Sequence, residues 1–208
     1  MSAQQPYDVE LDLDIDPPGN DGLPYFQELT DAEVEVKAPV AQRKKPLRKA
    51  TEMEMTRYLT RFHDGSNGNG PRYVVADHVR NRNGFGATRT ADFMVVDTWQ
   101  SLAVHGFEVK VDRRDWLKET RQPEKSEAFK QYCHYWWLVV PDEGLVRGDE
   151  LPKDWGLMAI RGAHQGFTVD KLVVVKAAPK LEPLPMPWTM TVPLLRAVQR
   201  TARGSWEG

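Results

Sequence analysis

Glu108-Val109-Lys110 places a carboxylate and an ammonium two residues apart in the apolar run Ser101 to Val111, so on a strand both side chains leave the same face. The triplet alone carries little, because Glu35-Val36-Lys37 repeats the pattern in an acidic stretch. Its surroundings add Asp92, on a second apolar and β-branched run, Ala91 to Val96. The link between the runs, Asp97-Thr98-Trp99-Gln100-Ser101, is short enough to make antiparallel neighbours the expected arrangement. A hairpin centred on residue 100 sets Asp92 across from Glu108 and Lys110 across from Thr90, with the two acids about 5 Å apart at Cβ. Carboxylates held that close repel unless positive charge lies between them, and a hard divalent cation, Mg²⁺ or Mn²⁺, takes carboxylate oxygens. The plain alternative is an ion pair between Glu108 and Lys110, with Asp92 ending its strand in solvent.

The elements that must position these residues are legible on either side. Thr51 is a candidate N-cap, with Glu54 at the capping-box position and Met55, Tyr58, Leu59 and Phe62 at amphipathic-helix spacing. That helix is predicted to end at Gly65, and Gly65 to Pro71 reads as a flexible loop by composition. Tyr73 to Val79 reads as a strand, and Asn83-Gly84-Phe85-Gly86 as a Gly-rich turn. After Val111, Arg113 to Thr120 suits a short helix, and Pro123 opens another that buries Ala128, Phe129, Tyr132 and Cys133. Trp136 to Val140 is a continuous apolar strand stopped by Pro141, as expected where helices cover both sheet faces. Gly156 to Ile160 and Thr168 to Lys176 give two further strands, and Thr191 with Pro193 opens a last helix through Ala202. The order describes a mixed α/β sandwich.

With 208 residues there is room for one domain and a tail. The net charge of −2 hides an asymmetry: residues 1 to 36 carry ten acids and no Lys or Arg. From residue 37 onward 28 basic residues therefore meet only 20 acids, and that part is basic by eight charges. A basic body can meet a polyanion, and an acidic tail can compete with one. Residues 1 to 47 read as mostly disordered, except that Asp8 to Asp16 alternates acid and apolar residue like a strand able to pair with a sheet edge or a protein partner. No apolar run approaches the roughly 20 residues of a membrane span. The N-terminus carries no secretory pattern, and the single cysteine, Cys133, excludes an intrachain disulfide. A cytoplasmic protein is the expectation. The five histidines show no zinc spacing, and homo-oligomerisation is left open.

Thr90-Ala91-Asp92 followed by Glu108-Val109-Lys110, on a hairpin with a helix before and after, resembles the PD-(D/E)xK nuclease superfamily with its restriction-endonuclease-like fold. The likeness continues through Asp112-Arg113-Arg114-Asp115-Trp116, Tyr132-Cys133-His134, Trp136 to Pro141 and Gly156-Leu157-Met158. This run is similar to MmcB-type DNA-repair proteins and to small proteins of actinobacterial phages. Ala91 stands where the superfamily name has Pro. The resemblance implies an α/β/α sandwich around a mixed central sheet over residues 48 to 208, and hydrolysis of DNA phosphodiesters in repair, recombination or phage DNA processing. It implies that Asp92, Glu108 and the carbonyl of Val109 hold the metal while Lys110 orients or deprotonates the attacking water.

The superfamily often adds a Glu from the first helix. Glu54 is the preferred candidate, with Glu52 and Asp77 as others. Arg89, Arg113, Arg114, Lys118, Arg121, Lys125 and Lys130 cluster around these positions in sequence, and phosphate contacts of that kind give affinity without base specificity. Gln131 and Tyr135 fit a Q-x-x-x-Y pattern that follows the lysine in RecB-like nucleases. Two rivals belong to other classes: a DNA-binding module that keeps the fold without cleaving, and a phage interaction protein acting through its acidic tail.

Overall fold

The computed structural model describes residues 50–64, 66–67, 70–82, 89–99, 101–162 and 169–204. The tail over residues 1 to 47 and the Gly-rich turn at 83 to 86 lie outside these residues. Helix α1 (Glu52–Phe62) starts at Thr51 with a complete capping box. Strands β1 (Ser66–Asn67) and β2 (Gly70–Pro71) pair with each other, so the stretch expected to be a loop contains a two-rung ladder. Six strands then build one sheet in sequence order: β3 (Tyr73–Arg80), β4 (Thr90–Asp97), β5 (Val104–Val109), β6 (Tyr135–Val140), β7 (Gly156–Arg161) and β8 (Lys171–Lys176). The pairings β5 with β6 and β6 with β7 are parallel, and the others antiparallel. Helices α2 (Arg113–Glu119) and α3 (Glu124–Lys130) form the crossover between β5 and β6, and α4 (Trp188–Gly204) closes the described chain. The fold is therefore mixed α/β, with helices on both faces of a mixed sheet. Helix α4 begins three residues before the expected Thr191, because the Pro187 carbonyl accepts from Met190 and Thr191 and starts the turn. Pro193 sits inside it.

Side-chain alternation assigns the faces. One face packs Ala76, Met94, Trp136 and Leu138 against Trp116, Phe129 and Cys133 of the α2–α3 region and against Met190, Leu194 and Ala197 of α4. Phe93 and Phe107 leave the other face, beneath α1, whose capping residue His63 stacks edge-on against Phe107 at 5.4 Å. Trp136 and Trp137, adjacent on β6, take one face each, and each lies across a glycine of a neighbouring strand. A Cβ on Gly106 would come within 2.2 Å of the Trp136 ring, and one on Gly156 within 2.3 Å of the Trp137 ring. These close approaches let two large rings lie flat against the sheet.

Burial keeps two imidazoles neutral. His63 is 3% exposed and its pKa is lowered to about 4, while His105, which accepts from the Trp137 indole, is lowered to about 3. A base with a depressed folded pKa contributes stability that is complete above its unfolded pKa and is lost as the pH falls toward the folded one. For His63 the window runs from 6.5 down to about 4. His63→Phe should keep the aromatic packing and remove the titration. Its Tm relative to wild type should therefore rise steadily across that window in thermal melts. A constant Tm difference between the two proteins would contradict a neutral, buried His63.

Candidate active site

The hairpin register brings the two acids to the same step, just beyond the last rung. Phe93 pairs with Phe107, Met94 with Gly106, Val95 with His105 and Val96 with Val104, so the next step outward is Asp92 with Glu108. Backbone pairing stops just before that step, and the Asp92 carboxylate itself accepts the Val109 N–H at 2.8 Å. The ladder therefore does not extend to Lys110 and Thr90, and Thr90 has its backbone pairing with Arg80 of β3 on the other side. Its own N–H reaches the Val139 carbonyl at 3.0 Å, which ties the end of β5 to β6.

The Lys110 ammonium is ion-paired with Glu108 and lies 3.9 Å from Asp92 and 3.7 Å from Glu119 of α2. Glu108 and Glu119 are buried and Lys110 is 13% exposed, so three carboxylates share one ammonium with little help from solvent. Fully ionised, the group carries two uncompensated negative charges. Burial, followed by the nearby Asp92 charge, pushes the Glu108 carboxyl up to about 8. Asp92 is also raised by burial, against the opposing pull of Lys110 and of the Val109 N–H. Burial works against the charge on Lys110, but Glu108 and Asp92 outweigh it and hold the ammonium above its ordinary value. In this arrangement Lys110 is a fixed cation and hydrogen-bond donor. That supports the orienting role rather than the proton-accepting one.

A deficit of two charges beside carboxylate oxygens is the setting a hard divalent ion favours, and Mg²⁺ commonly takes one or two carboxylates and completes its shell with water and phosphate. Among the described residues no group of three or more His, Cys, Asp or Glu is gathered closely enough to hold a metal alone. The set that fits is Asp92 and Glu108, to which the family resemblance adds the Val109 carbonyl.

Glu119 escaped the sequence reading, although a signal was present. It stands three residues after Trp116 on a seven-residue helix, so an apolar anchor and an acid share the buried face of α2.

Several expected contributors are placed elsewhere. Glu54 closes the capping box through the Thr51 N–H at 2.9 Å, and α1 lies over the Phe93 and Phe107 face, opposite the one that Asp92 and Glu108 share. Glu52, in the first turn of the same helix, is exposed. Asp77 is also corrected: its carboxylate accepts from the Thr201 hydroxyl at 2.7 Å and fastens α4 to β3. Gln131 caps α3 and its amide donates to the Ala128 carbonyl, and Tyr135 stacks on His105 at 4.7 Å at the start of β6, four residues along the strand from Val139 beside the site. At about 3.3 Å per residue that is over 10 Å.

Most of the basic candidates are already engaged. Arg113 forms a two-pronged ion pair with Glu150 and donates to the Leu145 carbonyl, which makes it a brace between α2 and the β6–β7 connection. Lys118 pairs with Asp115 at 2.9 Å, Lys130 with Asp154 and Glu127, and Arg89 donates to the Glu124 carbonyl. Glu119 and Lys130 also line a cleft of about 370 Å³ between Trp116 and Trp155, so Lys130 belongs to a paired wall. Arg114, Arg121 and Lys125 are exposed, with no ion pair of theirs found among the described residues.

No protein-family model matches the chain, and no curated protein matches it. A solved structure, an SPO1766 protein of unknown function from Silicibacter pomeroyi, is similar over 65% of this chain and 78% of its own, at 17% identity and a TM-score of 0.43. The case for function therefore rests on the site's own chemistry. Among the described residues no helix is long and apolar enough to cross a membrane.

Proposed function

We propose that the chain is a divalent-metal-dependent deoxyribonuclease of the PD-(D/E)xK type, with a restriction-endonuclease-like fold, acting in DNA repair, recombination or phage DNA processing. The observation that carries this reading is the meeting of Asp92, Glu108 and Lys110 at the open end of one hairpin, where with Glu119 the largely buried group is short of positive charge by two units. Phosphodiester hydrolysis needs a nucleophile at neutral pH and positive charge where the transition state becomes more negative, and a divalent ion bound there supplies both.

The chain's own residues do the rest. Asp92 and Glu108 present oxygens from adjacent strands, and the Val109 N–H fixes the orientation of the Asp92 carboxylate. Lys110 remains an ammonium and donates to the attacking water or to a phosphate oxygen. Glu119, 3.7 Å from that ammonium, keeps it charged and in place. Arg114, Arg121 and Lys125 offer exposed cations for sequence-independent phosphate contacts.

Incubation of the full chain with labelled single-stranded, duplex and branched DNA should give cleavage of at least one substrate with Mg²⁺ or Mn²⁺, abolished by chelation. Salt-sensitive binding without cleavage under either metal would replace this reading by the non-catalytic DNA-binding module.

A further inference from the structure

The β3–β4 ladder is regular on both sides of one residue. Asp77 pairs with Phe93 and Val79 with Ala91, and His78 stands between them, across from Asp92, without a backbone partner on β4. Its φ of +46° is left-handed, a conformation that costs any residue with a Cβ and is rare inside a strand. The surrounding structure holds it there. Arg200 of α4 donates to the carbonyls of both Asp77 and His78, and the Thr201 hydroxyl accepts the Asp77 N–H at 3.0 Å while donating to the Asp77 carboxylate. The side chain that results is exposed, at the ladder position across from Asp92. On either side of it Asp77 is held by α4 and Val79 is wholly buried in the core, while the His78 side chain itself is left in solvent beside the half-buried Asp92. Strain of this kind is retained where it aims a group.

We infer that His78 is a substrate-contacting residue that donates a hydrogen bond to the DNA phosphate held at Asp92 and Glu108, from the opposite side of Asp92 to Lys110. This rests on the nuclease reading above. Arg200 and Thr201 are then positioning residues, acting through the backbone of Asp77 and His78.

Two variants test the inference. His78→Asn tolerates the left-handed backbone, and His78→Gly relieves it; each removes the imidazole. Thermal melts, DNA affinity in Ca²⁺ and cleavage in Mg²⁺ should be measured on the full chain. The expected result is a Tm equal to wild type for the Asn variant and higher for the Gly variant, with weaker DNA binding and cleavage slowed about 10- to 100-fold in both. Gain of stability with loss of cleavage is an outcome that a purely structural His78 cannot give. Cleavage and binding at wild-type levels in both variants would overturn the inference and leave the nuclease reading standing. If wild type itself does not cleave, the nuclease reading fails, and DNA affinity in Ca²⁺ decides His78: weakened binding upholds the phosphate contact, and unchanged binding refutes it.

Discussion

Lys110→Met should lose cleavage and stability together. Three carboxylates share that ammonium, and Glu108 and Glu119 are buried, so removing it leaves acid groups facing each other with no counter-charge. Breaking a buried ion pair from one side typically costs about 3–5 kcal/mol, far more than replacing the whole pair. The methionine keeps most of the volume, so the loss is one of charge rather than packing. Cleavage should fall by roughly 10²–10³, the usual cost of removing one preorganised donor where charge develops. Mg²⁺ should raise the melting temperature of Lys110→Met more than that of wild type, because the ion supplies the missing positive charge. Chemical denaturation with and without Mg²⁺, alongside the cleavage rate, checks both halves. A variant as stable as wild type would mean that the carboxylates do not depend on Lys110.

Gly106→Ala and Gly156→Ala should each lower the Tm while leaving Asp92, Glu108 and Lys110 unchanged. At Gly106 the new methyl meets the Trp136 ring at 2.2 Å and the Cys133 sulfur at 3.1 Å. At Gly156 it meets the Trp137 ring at 2.3 Å and the backbone nitrogen of Ala178 at 2.7 Å. Both rings are buried and wedged, so neither can swing away without disturbing a sheet face. Overpacking of this kind costs about 1–3 kcal/mol. Gly156→Ala should be the more damaging, because backbone as well as a ring must move. In a Trp136→Leu background Gly106→Ala should lower the Tm less than it does in wild type, since the ring that causes the clash is gone. Melting temperatures of Gly106→Ala, Gly156→Ala, Trp136→Leu and the Gly106→Ala/Trp136→Leu double variant settle the matter.

The hairpin was legible because antiparallel register obeys arithmetic. A turn centred on residue 100 required Phe93 to meet Phe107, and it does. The same arithmetic could not show that Asp92 would trade a backbone rung for a side-chain bond to Val109. Nor could it place Lys110, whose strand continues toward β6. The continuous apolar run at Trp136 to Val140 correctly announced a strand covered on both faces. Glu54 was open to two roles in the sequence, because capping and catalysis draw on the same residue type; it fills the capping one, and only the face on which α1 packs separates them. Arg113 looked like a phosphate contact because its partner, Glu150, lies 37 residues further along the chain. His78 was invisible for another reason: a left-handed residue inside a strand is imposed by α4, more than a hundred residues later.

Single-turnover cleavage in Mn²⁺, comparing wild type with Asp92→Asn and following DNA binding in the same tubes, tests the central claim most directly. Asp92→Asn keeps the size of the side chain and an oxygen that can still accept the Val109 N–H, but it removes the negative charge from one of the two acids that fit a metal. Cleavage by wild type, at least a hundredfold slower in Asp92→Asn with binding unchanged, is the result the account predicts. Equal cleavage by both proteins, or none by wild type while DNA remains bound, would contradict it.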